Sequence, residues 1–168
     1  LNKVEGSILW LYNSNKYAVK NLHKEAQERN VNSNRLIFAN KLPLKKHLAR
    51  HSLGDLGLDT FNYNGHTTTS DALWSGLPIL TKIGKSFASR VSASLLTSIG
   101  IPELITNNEK EYEEKAIYFA NNPNALLILK SKLEKLIGTS SLYNSELFTK
   151  DLENIFKKII DRKYNINY

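Results

Sequence analysis

Cysteine is absent from these 168 residues, and so is methionine. Without cysteine there is no disulfide framework and no thiolate metal site, so the chain can fold in a reducing compartment and the cytoplasm is its expected location. Long apolar runs are missing as well. Those at 7–11 and 125–129 fall far short of the roughly 20 residues a membrane-spanning helix needs, and no signal-peptide pattern opens the chain, so no membrane partner is expected. Neither GxGxxG nor GxxxxGKS/T occurs, which removes the phosphate loops of dinucleotide dehydrogenases and P-loop NTPases. Charge of one sign is never concentrated: 23 Lys and Arg against 16 Asp and Glu leave +7, but the basic residues lie scattered among Asn and acidic residues, so no nucleic-acid partner is expected. With Leu1 at its start and no methionine anywhere, the sequence reads as a piece of something longer.

The 41% of hydrophobic residues suffice for one core, and we expect a single domain over 1–168. Short apolar runs alternate with helical periodicity. Residues 7–12 read as a buried strand closed by Asn13-Ser14-Asn15, and Ala18, Leu22 and Ala26 recur every four residues as a helix face. A second strand is predicted over 35–39. A helix follows it, with Pro43 in its first turn and Leu44 and Leu48 at helical spacing. Further strands are predicted over 55–59 and 78–81, on either side of a helix at 67–75. A helix over 86–98 has Ser86 as its N-cap and Gly100 as its terminator. Beyond Asn108, three helices around 109–120, 124–137 and 145–158 form a tail expected to pack across the domain. This alternation is that of an α/β fold, a Rossmann-like parallel sheet with helices on both faces.

In such sheets ligands sit outside the carboxyl ends of the strands, which directs attention to the loops after Asp59 and Thr81. In the first of them, Asn64-Gly65-His66-Thr67-Thr68-Thr69-Ser70-Asp71 brings a glycine, an imidazole and four hydroxyls to a helix start, where free N–H groups and the helix dipole favour an anion. A diphosphate fits that chemistry, with Thr67 and Thr68 as donors and Asp71 accepting from ribose hydroxyls. Thr68 and Asp71 also stand at capping-box spacing, so composition alone leaves ordinary helix capping open. His47 and His51 are four apart, a zinc-ligand spacing, but no HExxH motif or cysteine accompanies them. Gly84 and Lys85, and Arg90 on the next helix, lie where they can approach a phosphate; a plain turn with a solvated lysine explains the first two at least as well, and an arginine packed by its stem is the commoner case for the third.

The run Leu58-Asp59-Thr60-Phe61-Asn62-Tyr63-Asn64-Gly65-His66-Thr67-Thr68-Thr69-Ser70-Asp71-Ala72-Leu73-Trp74-Ser75-Gly76-Leu77-Pro78 resembles the C-terminal catalytic lobe of the O-linked N-acetylglucosamine transferase family. The similarity continues in order through Gly84, Ala88-Ser89-Arg90-Val91, Leu96-Thr97, Gly100, Glu103-Leu104-Ile105 and Glu111-Tyr112. The resemblance implies a B-type glycosyltransferase fold whose C-terminal lobe holds UDP-N-acetylglucosamine, with no cofactor. An N-terminal lobe, usually preceded by tetratricopeptide repeats, contributes to binding acceptor proteins and carries the catalytic histidine.

By position, His66, Thr67 and Thr68 match the family's diphosphate contacts, Asp71 a ribose contact, and His47 and Arg50 the pair framing the uracil. No catalytic residue of the family falls within these 168. Leu42-Pro43-Leu44, followed by Lys45 and Lys46, departs from the family's Ala-Pro-Lys, so its ribose-contacting lysine is shifted or lost. Plant-type protein O-fucosyltransferases, which use GDP-fucose, share the threonine-rich helix start. They typically lack the histidine, so His66 favours UDP-N-acetylglucosamine. A non-catalytic nucleotide- or protein-binding module is the remaining alternative.

Overall fold

A computed structural model of the chain describes residues 1–164. Five short strands and seven α-helices alternate as far as the fifth strand, and helices alone follow. All strand pairings are parallel. They form two ladders, β1 (Leu9–Tyr12) on β2 (Leu36–Ala39), and β4 (Ile79–Lys82) between β3 (Gly57–Leu58) and β5 (Ile105–Thr106). Each parallel pair is joined through a helical crossover: α1 (Lys16–Glu28), α3 (Thr67–Trp74) and α4 (Val91–Ile99) serve the three pairs. Between β2 and β3 lies α2 (Leu44–Arg50).

The core lies around β4, where Ile79, Leu80 and Thr81 are all buried, so that strand is covered on both faces. Leu73 of α3, Leu96 and Ile99 of α4 and Leu133 of α6 (Pro123–Ile137) are sealed from solvent against it. By contrast, β1 is less buried than its apolar run predicts: Trp10 is 38% exposed and Tyr12 54%. Its residues alternate inward and outward, the signature of a ladder covered on one face only. On the covered side His23 of α1 meets Phe38 of β2 edge to face, with ring centroids 5.1 Å apart.

Two boundaries differ from the sequence reading in ways that bear on the site. The helix predicted over 86–98 begins only at Val91, because Ser86 and Ser89 bond to each other's hydroxyl and backbone N–H groups and hold 86–90 as a turn instead. Its end is as predicted, with Gly100 at φ +94°, a left-handed cap that a side chain would strain. Strand β5 was not predicted, since two residues carry no periodicity. Pro43 is the N-cap of α2 rather than a residue of its first turn.

The tail divides. α5 (Glu109–Asn121) and α6 pack on the core, whereas α7 (Ser145–Tyr164) has no buried residue and leaves Phe148, Ile155, Phe156 and Ile159 exposed. The expectation that the whole tail packs across the domain therefore holds for two of its three helices. No helix among the described residues is long and apolar enough to cross a membrane.

Candidate nucleotide-sugar site

Everything at the predicted site hangs from Asp59, at the end of β3. Its Oδ1 accepts from the backbone N–H of Thr60 at 2.9 Å and of Gly65 at 2.7 Å, and its Oδ2 accepts from the Thr81 hydroxyl at 2.6 Å. One carboxylate thus ties both ends of the 60–65 loop to β4. Tyr112 of α5 donates its hydroxyl to the Asp59 carbonyl at 3.0 Å; burial first, and then the Asp59 charge, push that phenol well above its ordinary pKa.

The loop then closes onto α4. Asn64 is buried, donating from its backbone to the Ala88 carbonyl and from its side chain to the Thr60 carbonyl, both at 2.9 Å; its own Oδ1 has no partner among the described residues. Ser92 Oγ donates to the Gly65 carbonyl at 2.8 Å, which uses its only proton, so the buried Thr69 hydroxyl must donate to Ser92 across 2.9 Å. Gly65 has no room for a side chain. A Cβ there would stand 2.4 Å from Thr69 Oγ1 and 2.8 Å from Thr68 Oγ1.

These contacts deliver α3 with an open first turn. His66 is its N-cap residue and no side chain caps it, so the Thr68–Asp71 capping box allowed by spacing does not form. The first N–H groups of the helix have no intrahelical partner, and Thr67 and Thr68 are exposed beside them. Thr69, the third of the run, faces inward and is structural. His66 Nε2 lies 3.4 Å from the Ala88 carbonyl, with its ring stacked on Tyr63. That first turn has the donor set and dipole sense for a diphosphate.

His47 and Arg50 lie on α2, which His51 follows. His47 and His51 stack edge to face with centroids 4.7 Å apart, and the Asp71 charge acts on His51. Burial chiefly, then His47 and Arg50, lower the His51 pKa, with Asp71 opposing them. Arg50 donates to the Asn40 carbonyl at 2.8 Å, and its guanidinium lies 5.9 Å from the Trp10 ring centroid. Of the six predicted residues, His66, Thr67, Thr68 and Asp71 lie on the start of α3. His47 adjoins them through His51, and Arg50 is held toward β1 and Asn40. Among the described residues no group of His, Asp or Glu is placed to hold a metal.

Sequence reasoning missed Asp59, Ser92 and the aromatic neighbours of His66. Asp59 and Ser92 act through contacts 22 and 27 residues away in the chain, which no local pattern announces. A polar cavity of about 290 Å³ opens between Asn62, Lys82, Lys85, Ser86 and Asn107. It lies at the end of β4, beside Gly84 and Lys85. Lys82 there is bonded to Glu109 at 3.0 Å and lies over the Phe61 ring.

Comparison with known proteins agrees with this architecture. The UDP-N-acetylglucosamine--peptide N-acetylglucosaminyltransferase of Caenorhabditis elegans is 32% identical over 162 residues, covering 96% of this chain and 14% of that protein. The probable enzyme of the same description named SEC, from Arabidopsis thaliana, is 33% identical over 160 residues, covering 95% of this chain and 16% of its own length. Among solved structures, a variant of the Thermobaculum terrenum O-GlcNAc transferase superposes with a TM-score of 0.84 at 28% identity, over 90% of this chain and 30% of that one. This chain therefore spans a sixth or less of the length of these two sequence relatives. The glycosyl transferase family 41 profile matches residues 1–152, and the chain belongs to that family.

Proposed function

We propose that these 168 residues are the donor-binding lobe of a protein O-glycosyltransferase that transfers N-acetylglucosamine from UDP-N-acetylglucosamine to Ser or Thr of acceptor proteins. The observation that carries this reading is the uncapped start of α3, held open by Asp59 and Ser92 with Thr67 and Thr68 exposed. The names of the C. elegans and A. thaliana relatives supply the donor and the peptide acceptor.

In that reaction the acceptor hydroxyl attacks the anomeric carbon while negative charge develops on the departing UDP. Preorganised N–H and O–H donors at a helix start stabilise that charge more in the transition state than in the ground state. His66, Thr67 and Thr68 would cradle the diphosphate, Asp71 would accept from the ribose, and His47 with Arg50 would frame the uracil. The catalytic groups and acceptor surface belong to regions outside these 168 residues. The chain by itself would hold a nucleotide sugar and transfer nothing, in a cytoplasmic setting suited to a cysteine-free sequence.

Calorimetric titration with UDP and with GDP tests the reading. Weak, saturable binding of UDP in preference to GDP is expected. No heat with millimolar UDP, or a preference for GDP, overturns it.

A further inference from the structure

The polar cavity beyond β4 lies where parallel sheets place their ligands, yet no part of a bound UDP is assigned to it. Asn62 follows β3, Lys82 ends β4 with Lys85, Ser86 and Ser89 beyond it, and Asn107 follows β5, so all three strand ends of that ladder line the space. Its volume of about 290 Å³ holds a carboxyl-sized group with several waters, at roughly 30 Å³ for each water.

The lining is that of an anion site. Two lysines and two side-chain amides contribute to it, and no carboxylate does among the described residues. Lys82 is fixed, its ammonium 3.0 Å from a Glu109 oxygen and 4.2 Å from the centroid of the Phe61 ring, so Glu109 offsets its charge. Lys85 is exposed and has no ion pair among the described residues. It therefore leaves the cavity one positive charge in excess. The turn that carries it is braced, with the Ser86 and Ser89 hydroxyls 2.9 Å apart and the Gly84 N–H donating to the Ser89 carbonyl at 2.8 Å.

That turn is all that separates the cavity from the diphosphate cradle. Within it the Ala88 carbonyl accepts from the Asn64 N–H at 2.9 Å and lies 3.4 Å from His66 Nε2, while Ser86 and Ser89, on either side of Ala88, line the cavity. An acceptor hydroxyl must come to the sugar carbon joined to the second phosphate. An extended peptide advances about 3.3–3.6 Å per residue, so a side chain two or three residues from the modified Ser or Thr reaches across this turn.

We propose that the cavity holds a carboxylate of the acceptor protein, an Asp or Glu close in sequence to the modified Ser or Thr, and that Lys85 selects for it. The proposal rests on the donor reading above and adds to it a class of acceptor. A carboxylate matches the single unpaired cation, whereas a phosphate ester, with a charge of about −1.5 to −2, calls for more than one.

The experiment is amide NMR of the 168-residue chain saturated with UDP, titrated with acetyl-Glu-Ala-Ser-Ala-Glu-amide and with the same peptide carrying Gln for both Glu. The acidic peptide should shift the amides of Asn62, Lys85 and Asn107 and bind about threefold to tenfold more tightly than the Gln peptide, the range of one charge-assisted contact at a partly exposed site. Lys85→Gln should abolish that preference and Lys85→Arg should keep it, each with UDP affinity within about twofold of wild type. Equal affinity for the two peptides, no binding of the acidic one at about ten millimolar, shifts confined to other residues, or a preference that survives Lys85→Gln overturns the carboxylate site. Shifts caused by UDP at Thr67 and Thr68 leave the donor reading intact in each of those cases. Failure of UDP to bind overturns both.

Discussion

The Thr81 hydroxyl donates to Asp59 Oδ2 across 2.6 Å, joining the ends of β3 and β4, and leaves Oδ1 of the same carboxylate to receive the Gly65 N–H at 2.7 Å. A bond between two strand ends thereby sets where the next helix begins. Replacing Asp59 by Ala strands the fully buried Thr81 hydroxyl and the Gly65 N–H. At about 1–3 kcal/mol for each of the two unpaired groups, a loss of roughly 2–6 kcal/mol is expected in urea unfolding. A loss below about 0.5 kcal/mol, the scale of an inert surface change, would show that water substitutes for the carboxylate.

Gly65→Ala introduces a Cβ within 2.4 Å of Thr69 Oγ1 and 2.8 Å of Thr68 Oγ1. Backbone and threonines must separate, at about 1–3 kcal/mol for overpacking, and the Thr69–Ser92 bond opens. Stability should fall by that amount, and UDP affinity by about tenfold or more. Undiminished UDP binding would place the nucleotide away from this helix start.

Because α3 has no side-chain cap, Thr68→Val and Asp71→Ala separate binding from folding. Each variant should unfold within about 0.5 kcal/mol of wild type. Thr68→Val should weaken UDP about tenfold, the worth of one hydrogen bond to a charged oxygen, and Asp71→Ala should weaken UDP more than 2′,3′-dideoxy-UDP, which lacks the ribose hydroxyls. Variants that merely unfold would restore the capping reading.

His51 links stability to pH. Its folded pKa is lowered from 6.5, chiefly by burial and then by His47 and Arg50, so below that value the unfolded chain takes up the proton first. The contribution is complete above 6.5 and declines as pH falls through the folded value. Urea midpoints measured from pH 7.5 down to 5 should therefore drop more for wild type than for His51→Gln. Parallel curves would show that His51 titrates alike in both states.

Much of this was legible in the sequence because it is local. Helical periodicity placed α1, α3, α5 and α6 within a few residues, and the run from Asn64 to Asp71 marked the helix start. Where prediction failed, a local signal competed with a distant one. Ser86 looks like an N-cap, but its hydroxyl pairs with Ser89 and the helix waits until Val91. Thr68 and Asp71 have the spacing of a capping box, yet the loop geometry imposed by Asp59 and Ser92 leaves the helix uncapped.

The sequence by itself determined the α/β alternation, the chemistry of the α3 start and the family resemblance, since periodicity, residue type and order are properties of neighbours along the chain. Tertiary structure alone decided which of three consecutive threonines is buried, that one carboxylate organises the loop, and that Tyr63 and Phe87 flank His66. Each of those depends on where residues distant in sequence meet, and packing around β4 sets those meetings.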